Sequence, residues 1–148
     1  MTTYYDKHPK FHVAVDCIIF GFNKDGLSLL LLKRNMEPFM GEWSLMGGFV
    51  QTGESVDDAA KRVLKEYTGL DQVYMKQVGA FGDVNREPDE RVISVAYYAL
   101  ININDYDKQL VEEHNGYWAG INDLPPLLFD HLQMVEQARE LMKKKASR

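Results

Sequence analysis

Cysteine is nearly missing from these 148 residues, with Cys17 standing alone. An internal disulfide is therefore excluded, and a single thiol inside an apolar run reads as a small core residue in a reducing compartment. No apolar stretch approaches the ~20 residues needed to cross a bilayer, and no signal peptide is visible. A cytoplasmic location without a membrane partner is the expectation. Positive charge is also scarce: 17 Lys and Arg stand against 22 Asp and Glu, a formal net charge of -5. A broad nucleic-acid-binding face needs clustered cations and is excluded on that balance. The one basic cluster, Lys143, Lys144, Lys145 and Arg148, reads as a solvated tail. The histidines His8, His12, His114 and His131 show no metal-ligand spacing, so each reads as a surface or hydrogen-bonded residue. Repeats, low-complexity tracts and linkers are absent.

What is present suits one domain. A chain of this length can bury roughly 70% of its unfolded surface without covalent staples. Residues 11–22 and 27–33 are apolar runs separated by Gly21, Asn23, Asp25 and Gly26, the pattern of a hairpin whose strands are buried on both faces. Asp16 interrupts the first run, and a carboxylate there must find an arginine, backbone amides or a ligand. Strands are also expected over 73–80 and 91–101, with a short one at Tyr117 and Trp118 and a closing helix over 130–145. Between them, residues 83–91 form a charged loop, either simply solvated or placed at the rim of a site. The sum is an α+β domain with a mixed sheet between helices.

The most informative stretch is GFVQTGESVDDAAKRVLKEYTGL, from Gly48 to Leu70. Ser55 and Asp58 have capping-box spacing, Asp57 and Asp58 favour a helix N-terminus, and Gly69 stands where a helix stops. Val56, Ala59, Ala60, Val63, Leu64 and Tyr67 fall on one face. A helix from about Ser55 to Thr68 follows a glycine-containing loop.

This stretch resembles the signature of the Nudix family at Gly48, Glu54, Arg62, Leu64, Glu66, Gly69 and Leu70. The resemblance implies the Nudix α/β/α sandwich, with Gly48, Glu54, Arg62 and Gly69 as structural signature residues and Glu54 paired with Arg62. It departs from the family at two of three metal-binding glutamates: Val63 and Tyr67 stand in their places, and Glu66 is the remnant. Two later stretches, GAFGDVNREPDERVISVAYYAL and DLPPLLFDHLQMVEQAREL, resemble the Nudix-related transcriptional regulators, in particular the arabinose-responsive kind. That resemblance implies a single effector-sensing domain over 1–148, a homodimer that reaches operator DNA only through a C-terminal winged helix-turn-helix absent from this chain. It further implies a sugar effector, L-arabinose, with no hydrolase activity, no catalytic residue, no bound metal and no cofactor. Asp16, Arg34, Glu37, Trp43, Tyr67, Phe81, Asp83 and Arg86 are the ligand-binding candidates, chosen by fold position. Trp43 and Phe81 read more readily as core aromatics than as stacking platforms, and Phe49 and Tyr67 share that ambiguity, although Tyr67 stands at a former ligand position. The alternative is a Mg2+-dependent hydrolase of ADP-ribose or a related nucleoside diphosphate derivative.

Overall fold

The computed structural model describes residues 3–146. A one-turn helix, α1 (Thr3–Asp6), precedes strands β1 (His12–Asn23), β2 (Gly26–Lys33), β3 (Trp43–Ser44) and β4 (Met46–Phe49). Helix α2 (Val56–Thr68) leads to β5 (Lys76–Phe81) and β6 (Val92–Asn102); α3 (Lys108–Glu113), β7 (Gly116–Gly120) and α4 (His131–Ala146) complete the chain. The seven strands form one mixed sheet. β1 runs parallel to β6 and antiparallel to β2 and β4, while β5 and β7 add antiparallel to β6 and β2.

β1 is long and almost wholly apolar because it is central and covered on both faces. Its side chains alternate between two cores. Val15, Cys17 and Ile19 face α2 and α3, packing with Ala59, Ala60, Val63, Leu64 and Val111. Ile18 and Phe20 face α4, packing with Met134, Val135 and Ala138. The α+β sandwich expected from the sequence is the one observed. Burial pushes the Cys17 thiol pKa up, which leaves it an inert core group.

The ends of α2 follow the sequence signals. The Ser55 side chain accepts from the Asp58 backbone N–H at 3.0 Å, and Gly69 closes the helix in the left-handed region at φ 79°. Two boundaries differ from expectation. Residues 73–75 precede β5 without joining it, and α3 arises in a segment that carried no recognised helix signal. Asp107 caps α3 by accepting from the Leu110 N–H, and its own N–H donates to the Thr68 carbonyl, so α3 is anchored to the end of α2. Among the described residues no helix is long and apolar enough to cross a membrane.

A Cβ at position 69 would meet the Asp107 Cβ at 3.2 Å in addition to adopting positive φ. Gly69→Ala is expected to cost about 1–2 kcal/mol. Thermal unfolding should show the melting temperature falling by about 3–6 °C, and an unchanged melting temperature would refute this role for the cap.

Candidate functional site

One edge of β1 pairs with β6 along its length, but the other edge is shared. β4 takes Ala14–Cys17 and β2 takes Phe20–Asn23. The chain crosses this fork between β3, which pairs β2, and β4. At the crossing, the Leu45 N–H donates to His131 Nδ1 at 3.1 Å instead of to a strand. A cleft of about 220 Å³ opens here, bounded by Asp16 of β1, Gly47 and Gly48 of β4, Arg34 after β2, Tyr67 of α2 and His131 at the start of α4. Phe49, Glu87 and Phe129 also line it.

Asp16 lies on the α4 face of β1 and is 8% exposed. The Ser94 hydroxyl donates to its Oδ2, His131 Nε2 lies 3.5 Å from Oδ1, and an Arg86 terminal nitrogen lies 4.0 Å from Oδ2. Because His131 Nδ1 accepts the Leu45 N–H, the ring proton sits on Nε2, toward the carboxylate. Arg86 itself is held as a fork by Asp130, with bonds of 2.9 and 2.8 Å, and donates to Glu87 at 2.9 Å. Burial works against its charge, yet the bonds and charge of Asp130, with Asp16 and Glu87, leave its pKa raised. β4 can lie over this cluster only as glycine, since a Cβ at Gly47 would stand 2.7 Å from Asp16 Oδ1 and 2.8 Å from the Val15 carbonyl oxygen.

The loop before α2 is braced by Arg62. Its guanidinium donates to both Glu54 oxygens at 3.1 and 2.8 Å, to Glu66 at 3.1 Å and to the Phe49 carbonyl at 2.9 Å. The Arg62 hydrogen bond holds the Glu54 carboxyl below its ordinary value of 4.5. Val63 is fully buried, and its methyl would stand 3.1 Å from a Cβ at Gly48, so the loop packs directly on this side chain. Tyr67 is half-buried with its ring 4.7 Å from that of His114. Among the described residues no three His, Cys, Asp or Glu side chains are grouped to hold a metal. Of the three signature positions on α2, 63, 66 and 67, only Glu66 is a carboxylate; it is exposed and lies 3.1 Å from Arg62. That donor set fits a Mg2+ ion whose remaining ligands come from substrate phosphates and water, and does not fit a cage made by protein alone.

The cleft thus gathers three of the eight sequence candidates, Asp16, Arg34 and Tyr67. Glu37 instead accepts the Met40 N–H within the exposed 35–41 loop. Trp43 packs at the edge of the α4-side core, with Tyr117 against its ring, and Phe81 is buried in that core at 8% exposure. Both positions satisfy large apolar surfaces rather than present them. Asp83 and Arg86 line a neighbouring groove with Phe129 and Asp130, and the Arg86 side chain is 2% exposed, committed to its carboxylates. Sequence reasoning passed over His131, Glu87 and Phe129 as site residues. The only local signal was Asp16 itself, a carboxylate in an apolar strand that required partners.

Residues 10–144 match the family described as NUDIX domain. The ADPR responsive transcriptional repressor NtrR of Acinetobacter baylyi is 33% identical over 135 residues, 88% of this chain and 54% of that protein. The chain therefore spans about half of that repressor. The ADP-ribose pyrophosphatase of Methanocaldococcus jannaschii is 36% identical over 129 residues, 87% of this chain and 72% of that protein. The NUDIX domain of Shewanella oneidensis NrtR complexed with ADP ribose superposes with a TM-score of 0.79 at 31% identity, covering 93% of this chain and 92% of that one. Two expectations are corrected. ADP-ribose, not arabinose, is the molecule in these relatives' names, so arabinose and a sugar effector find no support. The expectation of a non-enzyme is overturned by the pyrophosphatase relative, which matches nearly the whole chain.

Removing Arg86 would leave Asp130 and Asp16 without their buried cation. Arg86→Ala is expected to cost about 3–5 kcal/mol in denaturant unfolding, against about zero for a surface substitution. The Glu54–Arg62 bonds have a pH signature. With the folded pKa depressed, their contribution is present above the unfolded pKa and is lost as pH falls through the folded one. The stability gap between wild type and Glu54→Gln should close as pH falls below the ordinary carboxyl value of 4.5 and through the depressed folded one; a gap undiminished on acidification would contradict the assignment.

Proposed function

The chain belongs to the Nudix family, and from that premise we propose that it binds ADP-ribose in the cleft at the strand fork and hydrolyses it to AMP and ribose 5-phosphate. The observation that carries this reading is that groups of opposite charge, Arg34 and the carboxylates Asp16 and Glu87, line one cleft. A cation suits the diphosphate, and carboxylates suit ribose hydroxyls as hydrogen-bond acceptors. The relatives named for ADP-ribose supply independent support. A volume of about 220 Å³ is below the ~300–1,000 Å³ of pockets that enclose a drug-sized ligand. It suits one end of ADP-ribose, with the remainder lying across Phe49, which is 56% exposed at the rim.

Glu66 is the residue that would hold Mg2+, together with substrate phosphates. Such an ion supplies Lewis-acid polarisation of a phosphoryl oxygen and a more acidic water. The chain's own contributions are positional. Arg62 fixes Glu66 relative to the loop by bonding Glu66, Glu54 and the Phe49 carbonyl together. Gly48 allows that loop to close on Val63.

A second reading is favoured by Val63 and Tyr67. With carboxylates missing from both positions turnover is slow, and a ligand that persists serves as a signal. The chain then acts as the ADP-ribose-responsive part of a longer, homodimeric DNA-binding protein, a reading supported by the repressor relative.

Thermal unfolding with ADP-ribose, paired with chromatography for AMP, tests both. Ligand at a hundred times its dissociation constant should stabilise the fold by about 2.7 kcal/mol, while arabinose leaves it unchanged. AMP should form with Mg2+, and should be lost in EDTA and in Glu66→Gln. Stabilisation without any AMP leaves only the signalling role, and neither stabilisation nor AMP rejects ADP-ribose as the ligand.

A further inference from the structure

The α4 face of the sheet is hollowed at both ends of the helix. α4 starts beside the cleft with His131, and near its other end Met142 and Lys145 stand beside a second concavity. That groove, about 480 Å³, is lined by Leu27 at the start of β2, Tyr98 and Leu100 of β6, Tyr74 ahead of β5, Met142 and Lys145. It shares no residue with the cleft.

Strand register sets its floor. Phe20 pairs with both Leu29 and Leu100, so Leu100, and Leu27 two residues from Leu29, stand on the face that carries Met134 and Ala138. Tyr98 is buried toward that core, whereas Leu100 stays 48% exposed and Tyr74 71%. Exposed apolar side chains are ordinary when scattered, but here they surround a hollow. Its volume falls within the ~300–1,000 Å³ of sites that take one small molecule.

The lining holds no carboxylate and a single charge, the Lys145 ammonium, which lies 4.9 Å from the centre of the Tyr74 ring. Among the described residues no carboxylate pairs with it. The ring positions the ammonium at the rim without neutralising it. An apolar hollow with one fixed cation at its edge complements an apolar body that ends in one negative charge. A diphosphate would leave most of its oxygens without donors there. A bilayer presents a broad anionic surface, which one lysine on a chain of net charge -5 does not hold.

We propose that this groove binds a free medium-chain carboxylate, its alkyl chain against Leu27, Leu100 and Met142 and its carboxylate at Lys145, with Tyr74 as one wall. The site is separate from the cleft, and it stands or falls independently of the ADP-ribose reading.

Calorimetric titration of the chain with octanoate, hexanoate and octanol tests it, in wild type, Lys145→Ala, Leu100→Glu and Tyr74→Ser, with melting curves to confirm folding. Octanoate should bind wild type at about 1 mM or below, and about tenfold more tightly than hexanoate, the effect of two methylenes. It should also bind about threefold more tightly than octanol, the effect of one exposed cation. Lys145→Ala should bring octanoate to the level of octanol and leave octanol unchanged. Leu100→Glu should abolish binding of both, and Tyr74→Ser, at the exposed wall, should weaken both if the glutamate variant does not fold. Absence of octanoate binding, equal affinity for octanoate and octanol in wild type, or affinity unchanged in the groove variants overturns the site. Sedimentation supplies the last outcome: a wild-type dimer that becomes monomeric in Leu100→Glu would show that a second copy covers this face, and would overturn the proposal too.

Discussion

A carboxylate in the middle of a two-faced apolar strand is the constraint on which this molecule turns. Asp16 is 8% exposed, so water alone cannot satisfy it, and leaving it unpaired would cost more than most single interactions contribute. The fold meets that demand from four directions: Ser94 on the neighbouring parallel strand, His131 at the head of α4, Arg86 from the loop after β5, and a glycine at position 47 that clears room for the oxygen. These groups are distant in sequence and adjacent only once the sheet and α4 have docked. Satisfying Asp16 therefore also fixes the walls of the cleft.

Two ion clusters frame that cleft, and they differ in kind. The one around Arg62 is partly exposed and organises a loop; its two carboxylates stand eight and four residues from the arginine. The one around Arg86 is buried and joins segments 44 residues apart. In both, the arginine is the hub and is unavailable to a ligand, which is why the remaining guanidinium at the cleft stands out chemically. The loss of acidic groups from α2 reads as a change in how the cleft meets negative charge, not simply as damage.

Local order was legible in the sequence, and the site only in part. α2 could be read in full because Ser55, Asp58, Gly69 and the apolar stripe all act within a few residues of each other. The hairpin of β1 and β2 was legible because two neighbouring apolar runs, joined by Asn23, Asp25 and Gly26, have few other uses. α3 was not, since six residues give too short a pattern and its anchor, the Thr68 carbonyl, is supplied by another helix. The candidates Asp16, Arg34 and Tyr67 reach the cleft, whereas Phe81, Trp43 and Arg86 are drawn into packing or ion pairs that depend on tertiary neighbours. His131 was read as a surface or hydrogen-bonded histidine and not as a site residue, because nothing in its surroundings along the chain reveals that Leu45 and Asp16 flank its ring. The ligand followed a resemblance too narrow in one respect: the regulator kinship holds, but arabinose does not.

The parallel pairing of β1 with β6 carries a consequence for how the chain reaches this state. Ser94 and Asp16 are 78 residues apart, so the central strand can complete its pairing only after a large loop has closed. Such non-local pairing slows folding. During synthesis the hairpin of β1 and β2 can form early, but one edge of its most apolar strand stays open until residues 92–102 emerge. For that interval the future floor of the cleft is an unpaired β-edge, the kind of surface on which chains associate wrongly. The same strand that gives the finished domain its centre is its most vulnerable segment while it is being made.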